Sequence, residues 1–91
     1  MILRYKKNST KSKTLYVLKY FVLNTNKNNP VSASTIITYL SSLGIPCERK
    51  SIYQDIAVFK NMGINIVRTG HAYYYDSKEG DFLHEIANGL Q

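Results

Sequence analysis

One segment, Glu48-Arg-Lys-Ser-Ile-Tyr-Gln-Asp-Ile-Ala-Val-Phe-Lys-Asn-Met-Gly63, admits few three-dimensional arrangements. Wound as a helix, it stacks Ile52, Ile56 and Phe59 at i, i+4 and i+7, an apolar stripe that demands a core. The opposite side carries Lys50, Gln54, Ala57 and Asn61 at i, i+4, i+7 and i+11. Long hydrogen-bonding side chains followed by a small residue suit a helix that reads base edges in a DNA major groove. In isolation such a face would merely be solvated, so the rest of the chain decides.

Upstream, Leu15, Leu18 and Val22, with Phe21 alongside, keep helical spacing, and Ser12 is a suitable N-cap. The first helix is expected at about 13–24, followed by the turn-rich loop Asn24–Pro30. Ser32 caps a second helix, with Val31 placed to staple onto Ile36. Its stripe is Ile36, Leu40 and Leu43, and Gly44 ends it. The short connector Gly44-Ile-Pro-Cys47 then gives helix-turn-helix spacing before the third helix, which Glu48 caps poorly. After Gly63 the period drops to two. Ile64–Arg68 and Ala72–Tyr75 read as strands joined by Thr69-Gly-His71. Phe82, Leu83, Ile86, Ala87 and Leu90 mark a last helix at about 79–90.

The expected fold is α+β and mainly α: a winged helix-turn-helix with a three-helix core, a β-hairpin wing and an additional C-terminal helix. Residues 1–12 form a basic arm, 13–76 the winged domain, and 77–91 a helix for dimerisation or for linkage to a further domain.

Charge supports a polyanion partner. Residues 1–75 hold eleven Lys/Arg against Glu48 and Asp55, a net +9, whereas residues 76–91 are −3, giving +6 in all. A hydrophobic fraction of 44% argues against disorder, and 91 residues make one modest core. Cys47, the lone cysteine, excludes an internal disulfide, reads as a small buried apolar residue and fits a reducing compartment. No run reaches membrane-spanning length and the start lacks signal-peptide architecture, so a cytoplasmic location is expected.

The run Ser51-Ile-Tyr-Gln-Asp-Ile56, then Phe59, Asn61-Met-Gly-Ile-Asn-Ile66 and the Tyr-rich second strand, resembles the N-terminal winged helix of WYL-domain transcriptional regulators. More loosely it is similar to the biotin-repressor-type DNA-binding domain. The resemblance covers about residues 13–76 and is concentrated in 44–75. It aligns Arg49 and Lys50 with the basic pair opening the recognition helix, Ser51 with its Thr, and Tyr53 and Asp55 with its Tyr and Asp. Gln54 departs from the pattern's Arg, Glu48 stands at a capping position, and His71-Ala72 replaces a Gly before the tyrosines. The family's C-terminal sensor domain has no counterpart in this chain, implying a fragment or a stand-alone regulator of bacterial type.

Lys50 and Gln54 are therefore the leading base-contact candidates, with Arg49, Ser51 and Tyr53 against phosphate or groove walls. Arg68, Thr69 and His71 at the wing tip reach flanking backbone or minor groove, or are a plain surface turn. Lys6, Lys7, Lys11 and Lys13 serve as a phosphate-neutralising arm or a solubilising tail. Asp55, at the edge of the apolar stripe, is structural and bonds a nearby amide or cation. Tyr73 and Tyr75 alternate with Tyr74, so core packing outweighs an RNA-stacking platform. His71, His84 and Cys47 complete no metal or catalytic set, so neither cofactor nor enzyme activity is expected. The expected function is sequence-specific double-stranded DNA binding as a transcriptional regulator, as a possible two-fold dimer through the C-terminal helix. The alternative is a winged helix that docks on protein, and RNA binding ranks third.

Overall fold

The hydrophobic period that marks the third helix recurs in two others, and the three converge on one core. In the computed structural model, which describes residues 9–77 together with Leu83, Ala87 and Gly89 (the side chains of 9–11 excepted), α1 spans Ser9–Asn24, α2 Ala33–Ser42 and α3 Arg49–Asn61. The hairpin follows as β1, Ile66–Thr69, and β2, Ala72–Tyr75. This is the expected mainly helical winged architecture, three helices and an antiparallel two-stranded hairpin. Val17 and Phe21 from α1, Ala33, Ile36 and Leu40 from α2, and Ile52, Ile56 and Phe59 from α3 fill the centre, closed below by Ile66 and Tyr75.

Helix ends explain how two sharp corners fit in so short a chain. Ser32 accepts the Thr35 amide at 3.3 Å and starts α2. At its other end Gly44 (φ +79°) donates to Ser41 and Ile45 donates to the Leu40 carbonyl, a Schellman closure. The same pair of bonds ends α3, from Gly63 (φ +89°) to Lys60 and from Ile64 to Phe59. Because the Ile64 amide is committed to the helix end, β1 begins at Ile66 rather than at Ile64. The register Ile66↔Tyr75 to Thr69↔Ala72 leaves a two-residue turn, Gly70-His71, with Gly70 alone at positive φ, as a type II′ turn requires.

Several expectations about α1 change. The helix starts at Ser9, so Ser12 lies within it and residues 9–12 are not part of an arm. The buried positions are Lys13, Val17, Phe21 and Val22, while Leu15 is 49% exposed. Nearly every residue from 15 to 23 is apolar or aromatic, so hydrophobicity alone does not choose the buried face. Residues 1–8 and most of the C-terminal segment lie outside the described residues. Of the latter, Leu83 and Ala87 are helical and both pack on the core, Ala87 fully. These two positions are thus spent within the monomer.

Two links hold the hairpin to the helices. Val31 and Tyr73 exchange both backbone hydrogen bonds at 2.8 Å, adding a one-residue third strand to the sheet. The Thr25 hydroxyl donates to the Phe21 carbonyl at 2.7 Å and accepts the Tyr75 amide at 2.8 Å, both buried. Thr25→Val keeps the shape but leaves that amide without its acceptor, so it is expected to cost about 1–3 kcal/mol in urea unfolding, whereas Thr25→Ser retains most of the stability.

Candidate nucleic-acid interface

With Ile52, Ile56 and Phe59 inward, the opposite side of α3 is free along its whole length. Lys50, Gln54, Ala57 and Asn61 are all exposed. Around this strip the other site candidates separate into free and committed groups.

Arg49 is exposed, and its Nη2 donates to Ser34 Oγ at 3.0 Å, so the first turns of α2 and α3 meet through a guanidinium. Tyr53 is half out of the surface, its ring centroid 6.2 Å from that of Tyr73 on β2. It therefore stands where α3 adjoins the sheet. At the wing tip Thr69 and His71 are exposed, while Arg68 Nε donates back to the Gly70 carbonyl at 2.9 Å. That bond ties the side chain to the turn and occupies Nε only.

Lys13 and Ser51 occupy a different place from the one the sequence suggested. Lys13 is only 8% exposed and Asp55 only 7%. The Lys13 ammonium is ion-paired with Asp55 Oδ2 and donates to Ser51 Oγ at 2.7 Å. Thr14 Oγ1 completes the set by donating to Asp55 Oδ1 at 3.1 Å. Lys13 is thus a core residue joining α1 to α3 and not a phosphate contact on an arm; a buried carboxylate must have a partner, and Lys13 is in reach. It is also the cation that Asp55 was expected to bond. Ser51, half-buried, serves that cluster and not a groove wall. Lys11 belongs to α1, and its side chain is not among the described ones.

The cluster reaches Cys47, which is half-buried just before α3. Burial pushes its thiol pKa up, nearby Lys13 pulls it down and Asp55 pushes it up again. The net rise disfavours thiolate, which suits a packing role over a redox one. Among the described residues no three His, Cys, Asp or Glu side chains gather as a metal site, and no helix is long and apolar enough to cross a membrane.

Sequence reasoning missed the Arg49–Ser34 bridge and the Val31 strand, both of which depend on how separate elements meet. The Asp55 partner was within reach of such reasoning, since an acid on the rim of an apolar stripe asks for a cation from a neighbouring helix. Lys13→Met is expected to lose about 3–5 kcal/mol of unfolding free energy by stranding the Asp55 charge. Lys50→Met, on the open face, should stay within about 0.5 kcal/mol in the same urea titration.

Comparison with known proteins returns no match among curated proteins and none among solved structures. A scan of protein families does return one. The family described as FokI, D3 domain matches residues 9–71, from the first residue of α1 to the hairpin turn, more than half of the chain. The match spans all three helices, both Schellman corners and the first strand, the winged-helix frame of a DNA-binding-type domain. The chain belongs to the FokI D3 domain family.

Proposed function

We propose that this domain binds double-stranded DNA sequence-specifically, with α3 in the major groove and the hairpin against flanking backbone, and that it does so as part of a transcriptional regulator similar to the WYL family. One observation carries the reading: the only acid within α3, Asp55, is buried and neutralised by Lys13, so the open face of the helix presents Lys50, Gln54 and Asn61 with no carboxylate among them. Lys suits guanine O6 and N7, and Gln suits adenine N6 and N7, while Ala57 permits close approach. Arg49 beside the start of α2 and the amines of the basic body supply the phosphate contacts that set register and affinity. The role is recognition without catalysis.

A second reading has an observation in its favour. Val58 on the same helix and Met62 just past its end are 47% and 69% exposed, and Tyr53 is also exposed. Apolar side chains there suit a protein surface, which would make this a winged helix that docks on a partner.

Selection of bound sequences from a random duplex pool separates the two. DNA recognition predicts an enriched motif, and two-fold pairing of the domain predicts an inverted repeat with half-sites about one helical turn apart. Lys50→Ala and Gln54→Ala should each lose about 1–3 kcal/mol of discrimination against base changes under their own contact. The absence of any enriched motif, together with binding that ignores salt concentration, would reject the duplex reading in favour of the protein one.

A further inference from the structure

We propose that the cluster of Lys13, Thr14, Ser51 and Asp55 is the positioning device that fixes how far α3 is turned about its own axis, and hence which side chains face the duplex. This rests on the reading of α3 as the recognition helix. Ser51 and Asp55 lie one turn apart on the rim between the buried stripe and the open face, and both are held by adjacent residues of α1. Two attachment points on one turn resist rotation in either sense.

The apolar stripe does not do this alone. Hydrophobic contact holds α3 against the core but is non-directional, so by itself it sets rotation about the helix axis only loosely. Side-chain ends lie about 5–6 Å from a helix axis, so a 20° turn carries them about 2 Å. A contact that must meet a base edge tolerates about 0.5 Å. Hydrogen bonds are directional enough to close that gap, and here the central Lys13–Asp55 bond is buried and the two flanking ones, to Ser51 and from Thr14, are part-buried. Buried ion pairs are poor stabilisers compared with apolar packing, so a role in geometry accounts for this one better than a role in stability. Lys13, Thr14, Ser51 and Asp55 are positioning residues, since none of them lies on the open face.

The structure supplies a reporter independent of DNA. The Tyr53 ring moves with α3 while the Tyr73 ring stays with β2, and their separation of 6.2 Å makes their proton shifts sensitive to rotation. The test compares the parent with K13M/D55L, which removes both charges together, and with S51A, which removes one acceptor and leaves the ion pair. Each is examined for Tyr53 and Tyr73 ring-proton shifts, and for the affinity ratio between a duplex selected by the parent and a scrambled one. In K13M/D55L the ring shifts should move and the ratio fall at least about tenfold, with affinity for the scrambled duplex changed less than about twofold. S51A should show the same pattern at smaller amplitude, and it carries the test if the double variant does not fold. Unmoved ring shifts in a folded variant overturn the proposal, as does an equal loss of affinity for both duplexes. A parent that prefers neither duplex defeats the DNA reading, and the ring shifts then decide the cluster's role by themselves.

Discussion

A charged pair taken out of water is the constraint around which this domain is arranged. Asp55 must be inside, because it sits between Ile52, Ile56 and Phe59 on the helix that anchors the core. A carboxylate there without a partner would remove a large part of the stability of a domain of this size. The partner comes from α1, where Lys13 lies in the second turn of the helix. The helical turn at residues 9–12, which has no apolar pattern of its own, places Lys13 there. Helix formation, burial and charge pairing are therefore mutually dependent at this point of the fold.

The same interdependence attaches the hairpin. Two four-residue strands are too little to stand alone in water. Their sheet is extended by Val31, just before α2, and tied to the end of α1 by the Thr25 hydroxyl. Tyr75 and Ile66 then turn inward as partners in register. The wing is thus built onto both α1 and α2, and its position relative to α3 is fixed by the sheet and by the Tyr53–Tyr73 contact.

How much of this could be read in advance depended on whether a feature was local. The stripe of α3, the Ser32 cap, the two closing glycines and the period-two strands are properties of neighbouring residues, and each appears in the structure. The buried face of α1 was legible in part: Phe21 and Val22 are buried as expected, whereas Leu15 is exposed and Val17, which keeps the same helical period with Phe21, did not stand out among so many apolar neighbours. The open face of α3 followed directly from its stripe, so Lys50 and Gln54 were placed correctly on the surface. Lys13 and Ser51 were misplaced for a physical reason: residue type says that a lysine or serine prefers water, and although Asp55 signalled a need for a cation, only the third dimension says which one meets it.

That misplacement changes the charge argument in a way that strengthens it. The net charge of +9 over residues 1–75 counts Asp55 against the surface, yet Asp55 and Lys13 cancel inside. With that pair set aside, residues 1–75 hold ten Lys/Arg and one acid, the exposed Glu48. The sum is the same, but its composition differs: a face carrying amines and amides with no interspersed carboxylates keeps its positive potential at close range, where alternating charges would cancel within a Debye length of about 8–10 Å. Glu48 stands at the N-terminal end of α3, where it complements the helix dipole and makes no side-chain cap. A phosphate approaching that end would meet Arg49, which is hydrogen-bonded to Ser34 and so already placed at the junction of α2 and α3. The acid at the helix start and the arginine beside it thus have different surroundings: Glu48 lies at the positive end of the helix dipole, and Arg49 bridges to the first turn of α2.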